Sequence, residues 1–478
     1  MHIQCWLWLC RAVFFVFFVV RSQVSMANVL FLTPCALYLG AIVLITLTMR
    51  SRPEDSEYFF ASKRLNALQA LLSVVSSETS VATTVVFPAA GLKGGFVLVW
   101  LLLGYIVGRA IVALFYLRTL YESSRLTIYQ TMSSRHRVLE SAYLLAKYIS
   151  GGARYFIGGY ALHQILGGPT VLWIIIVAGC VAAYSLTGGL RAVVAMDQIQ
   201  SVLIVGTGLF LVFFLARLVP AGVMYAPSFF DWDPSQYTFS PVLFLGGAVL
   251  SIGSHGADQD LLLRILSTRS FRSARRSLIF SGFGAAFLIG IYLTVGYLLQ
   301  FSGEAGLDAK SPLADFVMRG DVPLLKGIFL VLLAAAAMSS LDSTIHSTGA
   351  VWKSLAGSTK PGRYWSALSL LIMVCFAVSF MGLENRHPDF LSLCMGSMNY
   401  VNGGLIGVFT VFTFFRNRLT ANGVVLGLVA GFLTTTICEW AFAQPIPWTY
   451  TVLLASSASL VACLGGSVSL AGIQPRNV

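Results

Sequence analysis

Charged residues are scarce in this chain of 478 residues: Asp, Glu, Lys and Arg together account for 10% of it, whereas 57% is hydrophobic. Its mean hydropathy of +0.81 lies far above that of soluble domains. The polar stretches between the apolar runs are also short, which excludes a separate folded soluble catalytic domain. The sequence therefore predicts a polytopic membrane protein.

Paired cysteines and hydrolase motifs are missing as well. The 8 cysteines are scattered through apolar stretches without a CxxC pair, so we interpret them as small buried hydrophobic residues rather than as disulfides or metal ligands. Neither GxSxG nor HExxH occurs, which disfavours a membrane enzyme. The enzyme alternative depends on Asp342 and His346, which lie about one helical turn apart and resemble an acid–base pair.

Apolar runs long enough to cross a bilayer, roughly 20 residues each, recur about thirteen times along the chain. Residues 1–25 are harder to place, because Arg11 interrupts their apolar run. This segment is a signal-like stretch, a partial helix or an over-extended start. The expected membrane helices lie near residues 28–49, 66–90, 95–117, 140–167, 169–187, 192–216, 239–258, 277–301, 323–352, 364–383, 389–415, 420–442 and 447–470.

Basic residues indicate how these spans are oriented. About twenty Lys and Arg residues fall in one set of loops and about six in the opposite set, so the first set is predicted to be cytoplasmic. The same alternation puts the C-terminus in the cytoplasm of a multi-pass plasma (inner) membrane protein. Topology thus accounts for the net charge of +12 without a nucleic-acid partner. The basic residues at 264–276 are interpreted as an exposed cytoplasmic loop, for which contact with lipid headgroups is a secondary alternative role.

Three polar clusters interrupt the apolar pattern. They are SSETS at 76–80, GSHGADQD at 253–260 and AAAAMSSLDSTIHS at 334–347. An Asp at the centre of a lone membrane helix costs roughly 2.5 to 3.5 kcal/mol, so each cluster should face protein or a hydrated cavity. Hydrogen bonds between helices would account for single serines, but not for Glu78, Asp258 and Asp342 together.

The first two clusters occupy corresponding positions in the chain. Counted from the helix at 66–90, SSETS interrupts the first core helix and GSHGADQD interrupts the sixth. This spacing predicts two inverted five-helix repeats, each opening with a discontinuous helix, as in several secondary transporters. The predicted organisation is a hydrophobic N-terminal extension at 1–25, a peripheral membrane helix at 26–50, a first repeat at 66–216, a second repeat at 239–415 and two C-terminal membrane helices at 420–470.

The third cluster supplies oxygen atoms for a candidate cation site. Ser339, Asp342, Ser343 and His346 form one stripe of a helix, with Ser340 beside it. A hard monovalent cation prefers about five or six oxygen ligands and little net charge, which two hydroxyls and unwound carbonyls supply. We therefore predict a Na+ site with two serine hydroxyls and with main-chain oxygens, some of them from the broken first helix. Its residues are Ser76, Thr79, Ala336, Ser339 and Ser340.

Four stretches resemble one transporter family. They are EYFFASKRL at 57–65, YSLTGGLRAVVAMDQIQ at 184–200, GADQDLLLRILSTRSFRSARRSL at 256–278 and AAAMSSLDSTIHS at 335–347. In this order they resemble the sodium:solute symporter family, which includes sodium-coupled sugar, proline, sialic acid and iodide transporters. The resemblance implies an all-α polytopic membrane protein with leucine-transporter-like inverted five-helix repeats. It also implies alternating-access symport of sodium with a small organic solute into the cell.

The same resemblance implies a second sodium site, found in some relatives one turn along from the first. Its matching residues are Asp197, Asp342 and Ser343. The carboxylate at position 342 departs from the paired hydroxyls of those relatives, which leaves the number of coupled ions open. Asp197 has an alternative interpretation as a hydrogen-bonded cap near the cytoplasmic end of its helix. Proton coupling through Glu78 or Asp342 is the alternative to sodium coupling.

The resemblance also implies that residues beside the two helix interruptions line the solute cavity. They are Glu78, Thr83, Ser254 and His255. Glu78 stands where related sugar transporters carry a neutral amide, and it could bind a cationic solute, stay protonated or pair with a basic residue of the bundle. The candidates for pairing are Arg109, Lys147 and Arg154.

The helix near 140–167 has a polar face of its own. Glu140, Lys147 and Arg154 recur at intervals of 7 residues, which predicts either an internal polar seam or structural ion pairs. The partners expected from the whole sequence are a small-molecule solute, sodium and the lipid bilayer. The sequence leaves the oligomeric state open.

Overall fold

The computed structural model describes most of the chain beyond residue 25, and the regular structure of the described residues is helical apart from two isolated bridges. The N-terminal extension at 1–25 and the last residues lie outside the described part, so the predictions made for them stay predictions. The described ranges are residues 26–52, 54–93, 95–123, 125–132, 136–220, 227–236, 238–303, 306–308, 311–384, 399–415, 419–442 and 446–471.

Eighteen α-helices are described, and we label them in chain order. A π-helical turn at Val112–Tyr116 joins α5 to α6. The helices are α1 (Met26–Thr48), α2 (Asp55–Phe60), α3 (Ala67–Glu78), α4 (Val81–Leu92), α5 (Val99–Ile111), α6 (Leu117–Glu122), α7 (Tyr129–Met132), α8 (His136–Leu166), α9 (Thr170–Ala216), α10 (Ser240–Gly256), α11 (Gln259–Leu266), α12 (Phe271–Leu299), α13 (Pro312–Arg319), α14 (Pro323–Ala356), α15 (Gly362–Glu384), α16 (Asn399–Phe414), α17 (Ala421–Trp440) and α18 (Trp448–Ala471).

Long apolar helices dominate this arrangement. Among the described residues, 8 helices are long and apolar enough to cross a membrane, and counting each bent pair as one span gives up to 10. Each span expected from the sequence overlaps at least one of the helices. The chain is therefore a multi-pass membrane protein, whereas the number of about thirteen spans stays a prediction.

The longest helix, α9, covers two of the expected spans. Its 47 residues would extend about 70 Å as one straight helix, roughly twice the thickness of a bilayer core. Gly189 has φ 61° and ψ −159°, so the helical geometry breaks there, between the spans expected at 169–187 and 192–216. Glycine adopts this backbone readily, and a Cβ at this position would also collide with the backbone of Tyr58.

α3 and α4 form a discontinuous helix at the SSETS cluster, as predicted. A capping box formed by Asn66 and Gln69 starts α3, and the helix ends at Glu78. The axes of Ala67–Glu78 and Thr83–Leu92 differ by 70°. Thr79 lies in the gap with an extended backbone, φ −80° and ψ 113°, so its carbonyl no longer follows the hydrogen-bond direction of α3.

α10 and α11 form a second discontinuous helix at the GSHGADQD cluster, which confirms that prediction too. The two axes differ by 62°. Asp258 starts α11 by accepting a hydrogen bond from Asp260 N–H at 2.9 Å. Both breaks place polar backbone and side-chain groups within the helix bundle, where irregular backbone is tolerated only beside protein or water.

α14 is the central helix of the described structure. Most of its side chains from Leu325 to Val351 are buried. It packs against α1, α3, α8, α9 and α15. Its serines, its carboxylate and its imidazole therefore face other helices rather than lipid, as the sequence predicts.

Candidate functional site

The five residues of the predicted sodium site lie on the broken helix α3 and on α14. Ser339 Oγ lies 3.2 Å from the carbonyl oxygen of Thr79 and 3.2 Å from that of Ala336. Ser340 Oγ lies 3.2 Å from the Ala337 carbonyl oxygen on the same helix. The structure thus joins the gap after α3 directly to the middle of α14, and this contact depends on the interruption at Thr79.

Ser76 stands one turn before this gap on α3. Its carbonyl oxygen accepts a hydrogen bond from Thr79 N–H at 3.0 Å. Its hydroxyl is buried, and the described residues supply no hydrogen-bond partner for it. The oxygens that the structure brings together from α14 and the gap after α3 are those of Ser339, Ala336 and Thr79, and none of them is a carboxylate, which suits a hard monovalent cation.

The second predicted sodium set surrounds an arginine instead of an open position. Arg264 Nη2 lies 3.0 Å from Asp197 Oδ2 and 3.6 Å from Asp342 Oδ1. Ser73 Oγ donates to the same Asp197 oxygen at 2.5 Å, and Tyr184 OH donates to Asp342 Oδ2 at 2.6 Å. α3, α9, α11 and α14 are therefore held together by one guanidinium between two carboxylates.

Two interpretations of these residues are wrong. Arg264 was expected in the exposed basic loop, but it is 1% exposed and points into the bundle, whereas Arg269, Arg272, Arg275 and Arg276 are exposed. Asp197 was given an alternative role as a helix cap, but it lies inside α9 and contacts α3 and α11. A count of loop charges assumes that every arginine near the end of a span is exposed. It misplaces Arg264 because a carboxylate inside the bundle pairs with this arginine and allows it to be buried.

Ser343 and the remaining carboxylate oxygens complete the second set. Ser343 Oγ lies 3.2 Å from the carbonyl oxygens of Ser339 and Ser340 on its own helix. Asp197 Oδ1 and Asp342 Oδ1 are buried, and the described residues supply no hydrogen bond to either oxygen. Because Arg264 neutralises one of two carboxylates, the group retains one negative charge when both are ionised.

Glu78 and His255, both predicted for the solute cavity, are in contact across the two helix breaks. Glu78 forms a two-oxygen ion pair with Arg109 Nη2, at 2.7 and 2.5 Å. His255 Nε2 lies 2.7 Å from Glu78 Oε1. Among the partners considered for Glu78, the structure supplies Arg109, which is 0% exposed, while Glu78 itself is 20% exposed.

The other two solute residues lie beside the same breaks. Thr83 is buried, and its Oγ1 accepts a hydrogen bond from Ser80 N–H at 3.2 Å at the start of α4. Ser254 precedes His255 on α10 and is half-buried. Contact with a solute stays a prediction for all four residues.

A third charged group surrounds Lys147. The only sequence signal for it was indirect, namely the seven-residue spacing of Glu140, Lys147 and Arg154. Lys147 Nζ lies 2.7 Å from Asp258 Oδ2 and 2.8 Å from Asp260 Oδ2, so the residue forms ion pairs between α8 and α11. It also borders a cavity between α8, α10 and α16. The lining residues are Tyr143, Ala146, Lys147, Ser150, Gly253, Ala257, Asp258, Leu405 and Ile406.

Comparisons with known proteins agree with this architecture. The model of the sodium:solute symporter family matches residues 58–226. The sodium/iodide cotransporter of Homo sapiens is 24% identical over 459 residues, which covers 87% of this chain and 70% of that protein. The sodium/glucose cotransporter of Vibrio parahaemolyticus is 22% identical over 459 residues, covering 83% of this chain and 82% of that protein.

A solved structure extends the similarity to three dimensions. It shows the substrate-bound outward-open state of a Na+-coupled sialic acid symporter and is 17% identical to this chain, with a TM-score of 0.77 over 95% of this chain and 99% of that one. Both named relatives are cotransporters, not enzymes. The predicted resemblance to the sodium:solute symporter family is therefore confirmed, together with the leucine-transporter fold that it implied.

Proposed function

We propose that this protein is a secondary transporter that couples sodium entry to the uptake of a small organic solute by alternating access. The observation that supports this best is the contact between the broken helix α3 and the intact helix α14, where Ser339 Oγ lies 3.2 Å from the carbonyl oxygens of Thr79 and Ala336. Such a cluster of buried neutral oxygens suits Na+, and the named relatives are sodium cotransporters.

In this proposal, hydroxyl and carbonyl oxygens hold the ion. The hydroxyls belong to Ser339 and Ser340, and the carbonyls belong to Ser76, Thr79 and Ala336. All five residues are almost fully buried. An ion at this place ties α3 to α14, so it stabilises the conformational state in which these helices meet and in which the solute binds.

The energetics allow strong accumulation of solute. One charge moving through about 100 mV releases roughly 2.3 kcal/mol. A tenfold sodium gradient adds about 1.4 kcal/mol. One sodium ion per solute therefore supports an accumulation of about a few hundredfold, and two ions would square that factor.

The proposal places the protein in the plasma (inner) membrane with the exposed arginines after α11 on the cytoplasmic side. These are Arg269, Arg272, Arg275 and Arg276. The C-terminus would lie on the same side. Access of an impermeant amine or thiol reagent to a tag near the C-terminus, in cells and in inverted vesicles, tests this orientation.

The sodium site is tested by removing both hydroxyl ligands. In Ser339→Ala with Ser340→Ala, we expect the sodium concentration for half-maximal uptake to rise about tenfold or more, because two charge–dipole contacts are lost. Thr348→Val is the matched control, since Thr348 is buried on the same helix and its hydroxyl bonds to carbonyls of its own helix. An unchanged sodium dependence in the double variant contradicts the proposed site.

Asp197 Oδ1 and Asp342 Oδ1, which receive no hydrogen bond from the described residues, support a second sodium ion, although Asp342 Oδ1 also lies 3.6 Å from Arg264 Nη2. With Ser343 as a hydroxyl ligand, this ion would neutralise the charge that Arg264 leaves. The charge carried per solute, measured from reversal potentials in proteoliposomes, should then be about two for a neutral solute and fall to about one in Asp342→Asn. A value of about one in the unmodified protein contradicts the second ion.

The solute and the coupling ion are identified by two further measurements. Thermal shifts of the purified protein, with and without sodium, should show a solute that stabilises the protein more when sodium is present. The screen includes sugars, amino acids, carboxylates and sialic acid. Uptake that persists when choline replaces sodium would favour the alternative function, a proton-coupled symporter of the same fold.

A further inference from the structure

Asp260 on α11 is a buried carboxylate that accepts hydrogen bonds from two intact helices. Tyr143 OH donates to Oδ1 at 2.8 Å, and Ser347 Oγ donates to the same oxygen. Lys147 Nζ donates to Oδ2 at 2.8 Å, and Thr344 Oγ1 lies 2.9 Å from it. Both carboxylate oxygens are thus satisfied by α8 and α14. We call these five residues the Asp260 cluster.

The helix that carries Asp260 is short and follows a break, unlike the two helices that donate to it. α11 has 8 residues and follows the 62° break after α10, whereas α8 and α14 are continuous helices of 31 and 34 residues. A break of a few residues is the usual place for a hinge between moving elements. Rotation of α11 about this break would separate Asp260 from all four donors together.

The cluster is also linked to the proposed sodium site. Thr344 Oγ1 lies 2.9 Å from Asp260 Oδ2 and 2.9 Å from the carbonyl oxygen of Ser340, so its single proton is shared between them. Ser340 is one of the two hydroxyl ligands proposed for sodium. Thr344 Oγ1 therefore connects Asp260 of α11 to the backbone of the residue whose hydroxyl is proposed to bind sodium.

We propose that Asp260 is a positioning residue that holds α11 closed against α8 and α14 while sodium is bound, and that its release opens the side of the bundle on which the exposed arginines lie. This inference rests on the proposed sodium-coupled function. Asp258 does not substitute for Asp260, because it caps α11 and has an ion pair with α8 through Lys147. Of these two aspartates, Asp260 is the one that also joins α11 to the sodium-binding helix, through Thr344 and Ser347. The Arg264 guanidinium links the same two helices more loosely, at 3.6 Å from Asp342.

The proposal is tested with a pair of isosteric variants on one helix. Thr344→Val removes the hydroxyl shared by Asp260 and Ser340 but leaves the Lys147 ion pair, so the protein should still fold. Thr348→Val removes a buried hydroxyl one turn later that bonds to its own helix. Loss of a hydrogen bond to a charged group should lower the population of the closed state, and Thr344→Val should weaken apparent sodium affinity about five- to tenfold. Thr348→Val should leave it unchanged.

A sided reporter separates a positioning role from general loosening of the fold. Ser150 borders the cavity beside Lys147, is 3% exposed and is replaced conservatively by Ser150→Cys. In inverted vesicles, an impermeant thiol reagent should modify this cysteine several-fold faster when Thr344→Val is added. Modification from the opposite side, in right-side-out vesicles, should be unchanged. The chain without Ser150→Cys measures the background from the native cysteines.

The outcomes are distinguishable from failure of the proposed function. If the unmodified protein shows no sodium dependence, the sodium coupling itself is wrong, and the reporter still measures whether Thr344→Val opens one side. If sodium dependence is present but the two threonine variants behave alike, the role of Asp260 is overturned. Equal acceleration from both sides would also overturn it, because a loosened fold has no preferred side.

Discussion

Three basic residues are almost completely buried in the described part of the bundle, and each meets a carboxylate. Their pairs are Arg109–Glu78, Lys147–Asp258, Lys147–Asp260, Arg264–Asp197 and Arg264–Asp342. A buried ion pair adds little net stability, but removing one member leaves the other charge without compensation. Substitution of a charged residue should therefore destabilise the protein most where its buried partner has no other residue of opposite charge nearby.

Arg109 and Glu78 provide the clearest case. Glu78→Gln should destabilise the protein, toward the lower end of about 3 to 5 kcal/mol because Glu78 is partly exposed, and lower the melting temperature of the purified protein. Adding Arg109→Met to Glu78→Gln should recover part of this loss, since no unpaired charge remains. If the losses of the two single variants simply add in the double variant, the pair is not energetically coupled.

Single residues were predictable where chemistry leaves few choices. A carboxylate at position 78 inside a membrane bundle needs a cation, and Arg109 was among the three candidates. Arg264 was not predictable, because a charge count assigns an arginine at the end of a span to a loop, and only the packing of α11 against α3 and α14 brings it to Asp197. The donors to Asp260 were missed for the same reason: they come from helices distant in sequence.

At the scale of helices, interruptions were the most predictable features. Polar clusters at 76–80 and 253–260 are too costly for straight helices in lipid, and bends of 70° and 62° lie at these two places. How the two halves of each discontinuous helix pack against neighbouring helices is harder to predict from the sequence. α4 approaches α12 so closely that a Cβ at Gly296 would collide with the backbone of Pro88.

Gly296→Ala should therefore displace α4 and weaken the adjoining break, whereas a glycine of α12 that faces open space should tolerate alanine. Gly290 is the matched control, because a Cβ there would meet nothing within 4 Å. Gly290→Ala should be neutral or stabilising by about 0.5 to 1 kcal/mol, as alanine favours helix. We expect Gly296→Ala to lower both the melting temperature and the apparent sodium affinity. Equal behaviour of the two variants in both measurements contradicts this close packing.

At the scale of the whole molecule, local hydrophobicity was enough to predict an all-α membrane bundle, and the comparison structure shares its fold with a TM-score of 0.77. The thickness of the bilayer sets the length of an apolar run that can cross it. Each apolar run of that length in the sequence therefore overlaps a helix of the structure. The charged contacts between helices were not predictable to the same extent, because pairing across helices depends on how they pack. In the proposed mechanism these contacts connect the ion, the solute and the conformational state.

Such a connection requires that sodium and solute raise each other's affinity by the same factor. Once a solute is identified, its dissociation constant at saturating and at zero sodium gives one factor, and the sodium dissociation constant with and without solute gives the other. Both can be measured on purified protein, and we expect about 5- to 150-fold for each. In Ser339→Ala with Ser340→Ala both factors should fall toward one, while the solute affinity without sodium stays unchanged. If sodium still raises the solute affinity of this variant by a large factor, the coupling ion binds elsewhere.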